Sequence, residues 1–214
     1  MDKGFKPTGV TKMVDETVKV RKLMAVALIG ATMISFAPLM YSLSGSGPLT
    51  GAFFRMLYAM PVLWILSKVW TSEDNRGGAE RWMAFFAGLI LALDFITYHT
   101  AIDWVGTGIA TLIGNSQVII VTILSWWLLG EKPNRAIILA LPVVLVGLVF
   151  ISGLGDNAAY GERPGAGVLA GIFTAIFYSS FLIVYRYANK SLAPATKLQF
   201  ESTTGGMVGL LFLG

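Results

Sequence analysis

The chain has 214 residues, of which 55% are hydrophobic and 13% charged, against roughly 25% charged in a soluble domain. It has no cysteine and one histidine, so disulfide scaffolds, cysteine-ligated zinc and thiol chemistry are excluded, and no metal site or cofactor is expected. The net charge of +4 calls for no nucleic-acid partner, because the basic residues follow a pattern of their own.

That pattern is topological. Charge-free runs include Leu23 to Phe54, Val105 to Leu129, Ala136 to Gly155 and Gly167 to Tyr185. Each is long enough for a helix to cross a bilayer, which takes about 20 mostly apolar residues. Every Lys and Arg except Arg55 and Arg163 lies before the first run or on alternate connections between runs. Cytoplasmic connections collect Lys and Arg. The expected fold class is an all-α polytopic membrane protein with seven transmembrane helices, placed in the inner membrane with its N-terminus cytoplasmic.

Residues 1–22 read as a cytoplasmic tail. A poorly ordered tail is expected, the alternative being a short amphipathic helix over Thr11 to Lys22 on the membrane face. The first apolar run is too long, and starts too far along, for a cleaved signal peptide. Span one is about Leu23 to Leu43, closed by Ser44-Gly45-Ser46-Gly47-Pro48. Span two is about Leu49 to Ser67, followed by a hydrophilic inner loop from Glu73 to Gly78. Span three is about Trp82 to Ile102, and span four about Gly106 to Leu129. The short turn Gly130-Glu131-Lys132-Pro133-Asn134 makes spans four and five antiparallel neighbours; span five is about Arg135 to Ser152. An outer loop carries Asp156, Glu162 and Arg163. Span six is about Gly165 to Tyr187. Span seven starts near Thr196 and reaches Gly214.

Trp70, Trp82, Trp126 and Trp127 are expected at the inner headgroup level, with Tyr41, Trp104 and Tyr160 at the outer one. Pro38, Pro61 and Pro142 are expected to kink their helices. Gly167, Gly171, Ala175 and Ser179 recur every four residues, as do Ala27, Ala31 and Ser35; such faces let helices approach closely in lipid.

Pro48-Leu-Thr-Gly-Ala-Phe-Phe54-Arg55 is echoed by Pro194-Ala-Thr-Lys-Leu-Gln-Phe200-Glu201. Five spans separate the copies, so the second enters the membrane from the opposite side, as in an inverted repeat. Arg55 is then expected near the outer end of span two, and Glu201 near the inner end of span seven.

Gly47-Pro-Leu-Thr-Gly-Ala-Phe-Phe-Arg55 resembles the second-span pattern of EamA-type transporters of the drug/metabolite transporter superfamily. Ala101-Ile-Asp-Trp-Val-Gly-Thr-Gly-Ile-Ala-Thr-Leu, Leu128-Leu-Gly-Glu-Lys-Pro133 and Val146-Gly-Leu-Val-Phe-Ile-Ser resemble the strongest family segment. The resemblance implies two inverted five-span repeats, ten spans in all. Residues 23–153 would be the first five-helix repeat and residues 165–214 the truncated start of a second, so the chain reads as a fragment of the full plan, the alternative being a shortened member of the family. The family often has a proline in mid span four, where this chain has Gly114-Asn-Ser-Gln-Val118.

Polar side chains inside spans are costly and mark cavities or partners. Asp94, deep in span three, is the candidate for proton coupling. Tyr98, four residues on, shares its face and is expected to donate to it. His99 is turned away and is expected to pair with Asp103 at i,i+4. Asn115 and Gln117, near the middle of span four, face different neighbours and suit neutral or zwitterionic solutes, or serve as interhelical bonds. Arg55 is expected to snorkel outward, to pair with an acid such as Asp103, or to attract an anionic substrate group. Tyr178 is a further pathway candidate; like Tyr185 it otherwise reads as packing. Glu131 and Lys132 read as capping and topological residues.

The expected function is a secondary transporter exporting a small organic metabolite by alternating access. The sequence has no Gly-x-x-x-x-Gly-Lys-Ser/Thr, which leaves a proton or solute gradient as the energy source. A homodimer is left open. The competing readings are a non-transporting helper subunit and an intramembrane enzyme. Against the enzyme, Ser116 has no evident base, and the sequence has no His-Glu-x-x-His.

Overall fold

The computed structural model describes residues 9–69, 73–151, 155 and 161–213. Among them every regular element is a helix: α1 (Gly9–Ser35), α2 (Ala37–Ser44), α3 (Pro48–Val69), α4 (Gly78–Val105), α5 (Thr107–Gly114), α6 (Gln117–Leu129), α7 (Arg135–Ile151), α8 (Pro164–Tyr187) and α9 (Ala195–Leu213). Lipid offers no partner for free backbone groups, so apolar runs of this length must satisfy their own.

Five stretches are long and apolar enough to cross a membrane: Val20–Ser44, Pro48–Val69, Gly78–Val105, Thr107–Leu129 and Pro164–Tyr187. Two of the seven expected spans fall short of that standard. In α7 the apolar segment is the shorter Arg135–Gly147. Helix α9 is 19 residues long, but Lys197, Gln199 and Glu201 dilute its first half. Trp70, Asp156, Tyr160 and the ends of spans five and seven lie outside the described residues.

The chain divides into two units, residues 1–40 and 41–214. In the first, α1 is continuous from Gly9 through the Lys22–Leu23 boundary, so the expected poorly ordered tail is helical from Gly9. Ala27, Ala31 and Ser35 are exposed along it. The helix breaks at Phe36, two residues before Pro38. A proline lacks the donor for the carbonyl four residues back and clashes with it, yet fits the first turn of a new helix. Pro61 and Pro142 are carried inside α3 and α7.

The second unit is built around α4 and α8. Within their apolar windows 44% of residues are buried, against 11% for α3 and 6% for Thr107–Leu129. Helix α4 packs on α8, α9, α3 and α5, and α8 packs on α6. At 28 residues, α4 spans about 42 Å, longer than the ~30 Å hydrocarbon core. The small-residue face of α8 is buried as expected: Gly167 packs on Trp104 and Val105, Gly171 on Ile113, and Ala175 and Ser179 are fully buried. Trp82, Trp126 and Trp127 are exposed, as headgroup residues would be, whereas Tyr41 is only 7% exposed and is no belt residue.

The expected single span four is two helices. Residues Asn115 and Ser116 form a turn between α5 and α6. The Asn115 Nδ2 amide donates to Thr111 O at 2.8 Å, beside the backbone bond from Asn115 N to the same oxygen at 2.9 Å. Amides N–H of Ser116, Val118 and Ile119 then bond three residues back instead of four. An asparagine side chain that bonds to the backbone disfavours a helix interior, and the interruption falls at this residue. The chain leaves α6 through Gly130, whose φ of 69° is left-handed and suits glycine.

Candidate functional site

Asp94 sits on α4 among α3 and α8 residues. It is 4% exposed, and its Oδ1 is buried with no hydrogen-bond partner in the protein. Arg55 on α3, Tyr98 on α4 and Tyr178 on α8 lie within its electrostatic reach. The Arg55 guanidinium stacks over the Phe95 ring at 4.4 Å, a favourable cation–π geometry. Arg55 is therefore turned inward beside Asp94. It is not snorkelled outward, and it is not paired with Asp103.

Tyr98 does not donate to Asp94. Its hydroxyl meets Thr111 Oγ1 at 3.0 Å, joining α4 to α5. The i,i+4 spacing allowed the expected bond, but a hydroxyl on the adjacent helix competes for the same group. Thr97, one residue earlier, is bonded by Thr174 of α8 at 3.0 Å. Asn115 turns back onto Thr111 O and holds the helix break. Gln117 contributes its backbone: Gln117 O accepts Ser179 Oγ at 3.3 Å, which ties the broken span to α8. Asp94, Arg55, Tyr98 and Tyr178 thus form one group, with Asn115 and Gln117 at the break beside it.

His99 belongs to a separate cluster. It is 2% exposed and stacks on Tyr41, with ring centroids 3.8 Å apart and 8° between planes. Its Nδ1 lies 3.1 Å from Pro48 O, and since a carbonyl only accepts, Nδ1 carries the proton. Asp103 is taken by Tyr41, whose hydroxyl donates to its two oxygens at 3.0 and 3.1 Å. The expected His99–Asp103 pair is therefore replaced by two longer-range bonds that fasten α2 and α3 to α4. The fit needs Gly51, where a Cβ would meet the Tyr41 ring at 2.6 Å.

A third cluster, which sequence reasoning missed, closes the end of the bundle that carries the loop before α4. Arg76 has a fully buried side chain. It donates through Nε to Asp74 Oδ1 at 2.9 Å and through Nη2 to Asp74 Oδ2 at 3.0 Å. Its Nη1 faces Glu201 Oε2 of α9 at 2.7 Å. Arg81 adds weaker contacts to Asp74, at 3.3 Å, and to Glu201, at 3.8 Å. Hydrogen bonding from Arg76 holds the Asp74 carboxyl down at about 2. Burial by itself would lower the Arg76 guanidinium, but its bonds to Asp74 and Glu201 outweigh that and raise it. The sequence did hold one clue, the echo that aligned Glu201 with Arg55 and put it near the inner end. Nearby, Glu80 accepts the N–H of Gly77 and both donors of Ser191, and Arg186 pairs with Glu131. The Gly130-Glu131 turn is thus also a tether to α8.

Comparison with known proteins agrees with this architecture. No curated protein and no solved structure gives a match. The family model described as "EamA-like transporter family" matches residues 21–153, more than half of the chain, and so covers α4, α5 and α6 at the helix break but not α8. The chain is therefore a multi-pass membrane protein that belongs to the EamA-like transporter family.

Proposed function

We propose that the chain is a secondary transporter that moves a small organic metabolite outward across the inner membrane by alternating access, driven by protons through Asp94. In this reading α7 and α9 cross the membrane with the other five spans. Residues 23–153 form one five-helix repeat and residues 165–214 begin its inverted copy. The Lys- and Arg-rich connections and the N-terminus face the cytoplasm.

The observation that carries the proposal is the Asp94 carboxyl: buried, with one oxygen unpartnered, and set between Arg55, Tyr98 and Tyr178. Leaving a buried polar atom unpaired costs about 1–3 kcal/mol. A carboxyl kept at that cost has a use if it takes a proton or a cationic substrate group in one half of the cycle and gives it up in the other. Arg55 supplies an opposite charge within reach of that carboxyl. Tyr98 and Tyr178 bring apolar rings with polar tips, which suits a small amphipathic solute. The interrupted α5–α6 span is supporting evidence, because broken helices flank binding sites in transporters.

The test is Asp94→Asn in proteoliposomes under an imposed pH gradient, with a panel of small metabolites. Uphill flux should vanish while insertion and thermal stability stay close to those of the parent. Undiminished gradient-driven flux in that variant would remove Asp94 from the coupling step.

A further inference from the structure

We propose that the Arg76-centred network is a gate. It shuts the route from the cationic face to the Asp94 group, and it opens when Glu201 on α9 withdraws from Arg76. The inference rests on the alternating-access reading above and adds to it a device at a second place in the fold.

The network joins parts of the chain that are far apart in sequence. Asp74 and Arg76 belong to the loop before α4, and Glu201 belongs to α9. Its two sides are built differently. Asp74 grips Arg76 with a two-pronged fork, both oxygens on separate nitrogens at 2.9 and 3.0 Å, from only two residues away. Such bidentate pairs are the strong ones, so Arg76 stays with its loop. Glu201 meets Arg76 through one oxygen on one nitrogen, at 2.7 Å, and its side chain is 23% exposed. The joint that can part is therefore the one to α9. Arg81, 51% exposed and 3.8 Å from Glu201, offers that carboxylate a partner nearer to water. Handing Glu201 from Arg76 to Arg81 avoids stranding a bare buried charge, which would otherwise cost several kcal/mol.

The position fits a gate. A cavity of about 260 Å³ lies on the cationic side, with Trp64, Lys68, Asp74, Arg81, Lys197 and Glu201 in its wall. Arg76 does not line it. On the other side a row of α8 aromatics leads back toward Asp94. Tyr178 packs on Phe181 with centroids 5.6 Å apart, and Phe181 on Tyr185 at 5.1 Å. Tyr185 donates to Gln199 of α9 at 2.9 Å and lies within the field of Arg76. Glu80, which anchors the start of α4, is fourteen residues before Asp94, or about 21 Å along the helix. The plug thus sits between that cavity and a packed row of aromatics that ends at Tyr178.

Accessibility tests this directly, because the chain has no cysteine of its own. Leu91, three residues before Asp94 and 7% exposed, becomes the single reporter as Leu91→Cys in the full chain. Membrane vesicles are treated from the cationic face with a membrane-impermeant maleimide. Adding Glu201→Gln should speed labelling roughly tenfold, the population shift expected when about 1.4 kcal/mol of closed-state preference is lost. Arg76→Gln should act in the same direction. Lys68→Gln, in the same cavity wall but outside the network, should leave the rate unchanged. Should Arg76→Gln fail to insert, the near-isosteric Glu201→Gln decides. Equal labelling with and without Glu201→Gln overturns the gate, and so does equal acceleration by Lys68→Gln. No substrate enters this measurement, so its failure is distinguishable from a failure of the flux test at Asp94.

Discussion

The contact between α4 and α9 gives the sharpest stability prediction. A Cβ on Gly88 would lie 2.7 Å from both Gly206 N and the Ser202 carbonyl carbon, and closer still to Ser202 O. A Cβ on Gly205 would lie 2.8 Å from the Phe85 carbonyl carbon and closer still to its oxygen. Ordinary contact begins at 3.4 Å, and Ser202 O sets the larger demand, so Gly88→Ala must part the helices by more than an ångström. The obstructing atoms are backbone and cannot rotate aside. Overpacking of this kind costs about 1–3 kcal/mol, and close dispersion contacts along both helices are lost as well. Alanine's better helix propensity returns at most about 1 kcal/mol. At about 2–4 °C per kcal/mol for a chain of this size, Gly88→Ala should lower the melting temperature in detergent by roughly 3–10 °C, read from tryptophan fluorescence during a thermal ramp. Gly147→Ala is the control. Its Cβ meets nothing within 4 Å, so its melting temperature should hold or rise. Adding Gly205→Ala to Gly88→Ala should cost less than the two changes separately, because the helices part only once. Equal melting of the Gly88 and Gly147 variants would refute the close backbone contact.

Two further outcomes follow from the polar groups. Asp74 is held at about 2, against an ordinary 3.8. A depressed carboxyl stabilises the fold above its unfolded value, and that contribution is lost as pH falls through the folded one. Asp74→Asn should therefore melt below the parent at pH 6 by an amount corresponding to about 2 kcal/mol. The gap should close as pH drops from 4 toward 2; a gap that widens toward acid would contradict the Arg76 fork. Asn115→Leu removes the side-chain bond to Thr111 O, so the helix should run on through Ser116. Amide exchange at residues 115–118 should slow, and an unchanged exchange rate would show that the break has another cause.

The helices were legible because lipid imposes one rule on every span. Apolar runs between charged connections located α3, α4 and α8 closely, and the four-residue repeat on α8 identified its buried face. What the sequence reading missed was mostly competition. Spacing along one helix offered Asp103 to His99 and Asp94 to Tyr98, and both pairings were sterically reasonable. Partners from other helices took those groups instead: Tyr41 took Asp103, Thr111 took Tyr98, and Pro48 O took His99. No i,i+4 rule contains residues 51 or 62 positions away. The break at Asn115 went unread for a related reason, since apolar neighbours on both sides made the span look continuous. Its one side-chain mark is the Asn115 amide bonded back to Thr111 O.

Arg76 shows the opposite failure. A cationic residue in a polar loop reads as solvated, and only the fold reveals that α9 brings Glu201 over it. Charges that look topological in sequence can thus become the most buried ones once two distant segments meet. Asp94 follows the same logic in reverse. Its neighbours on α4, Thr97 and Tyr98, each find a hydroxyl on another helix, whereas Asp94 Oδ1 finds none. In a medium that penalises every unpaired polar atom, the group left open where those beside it have been satisfied is the one with capacity to bind.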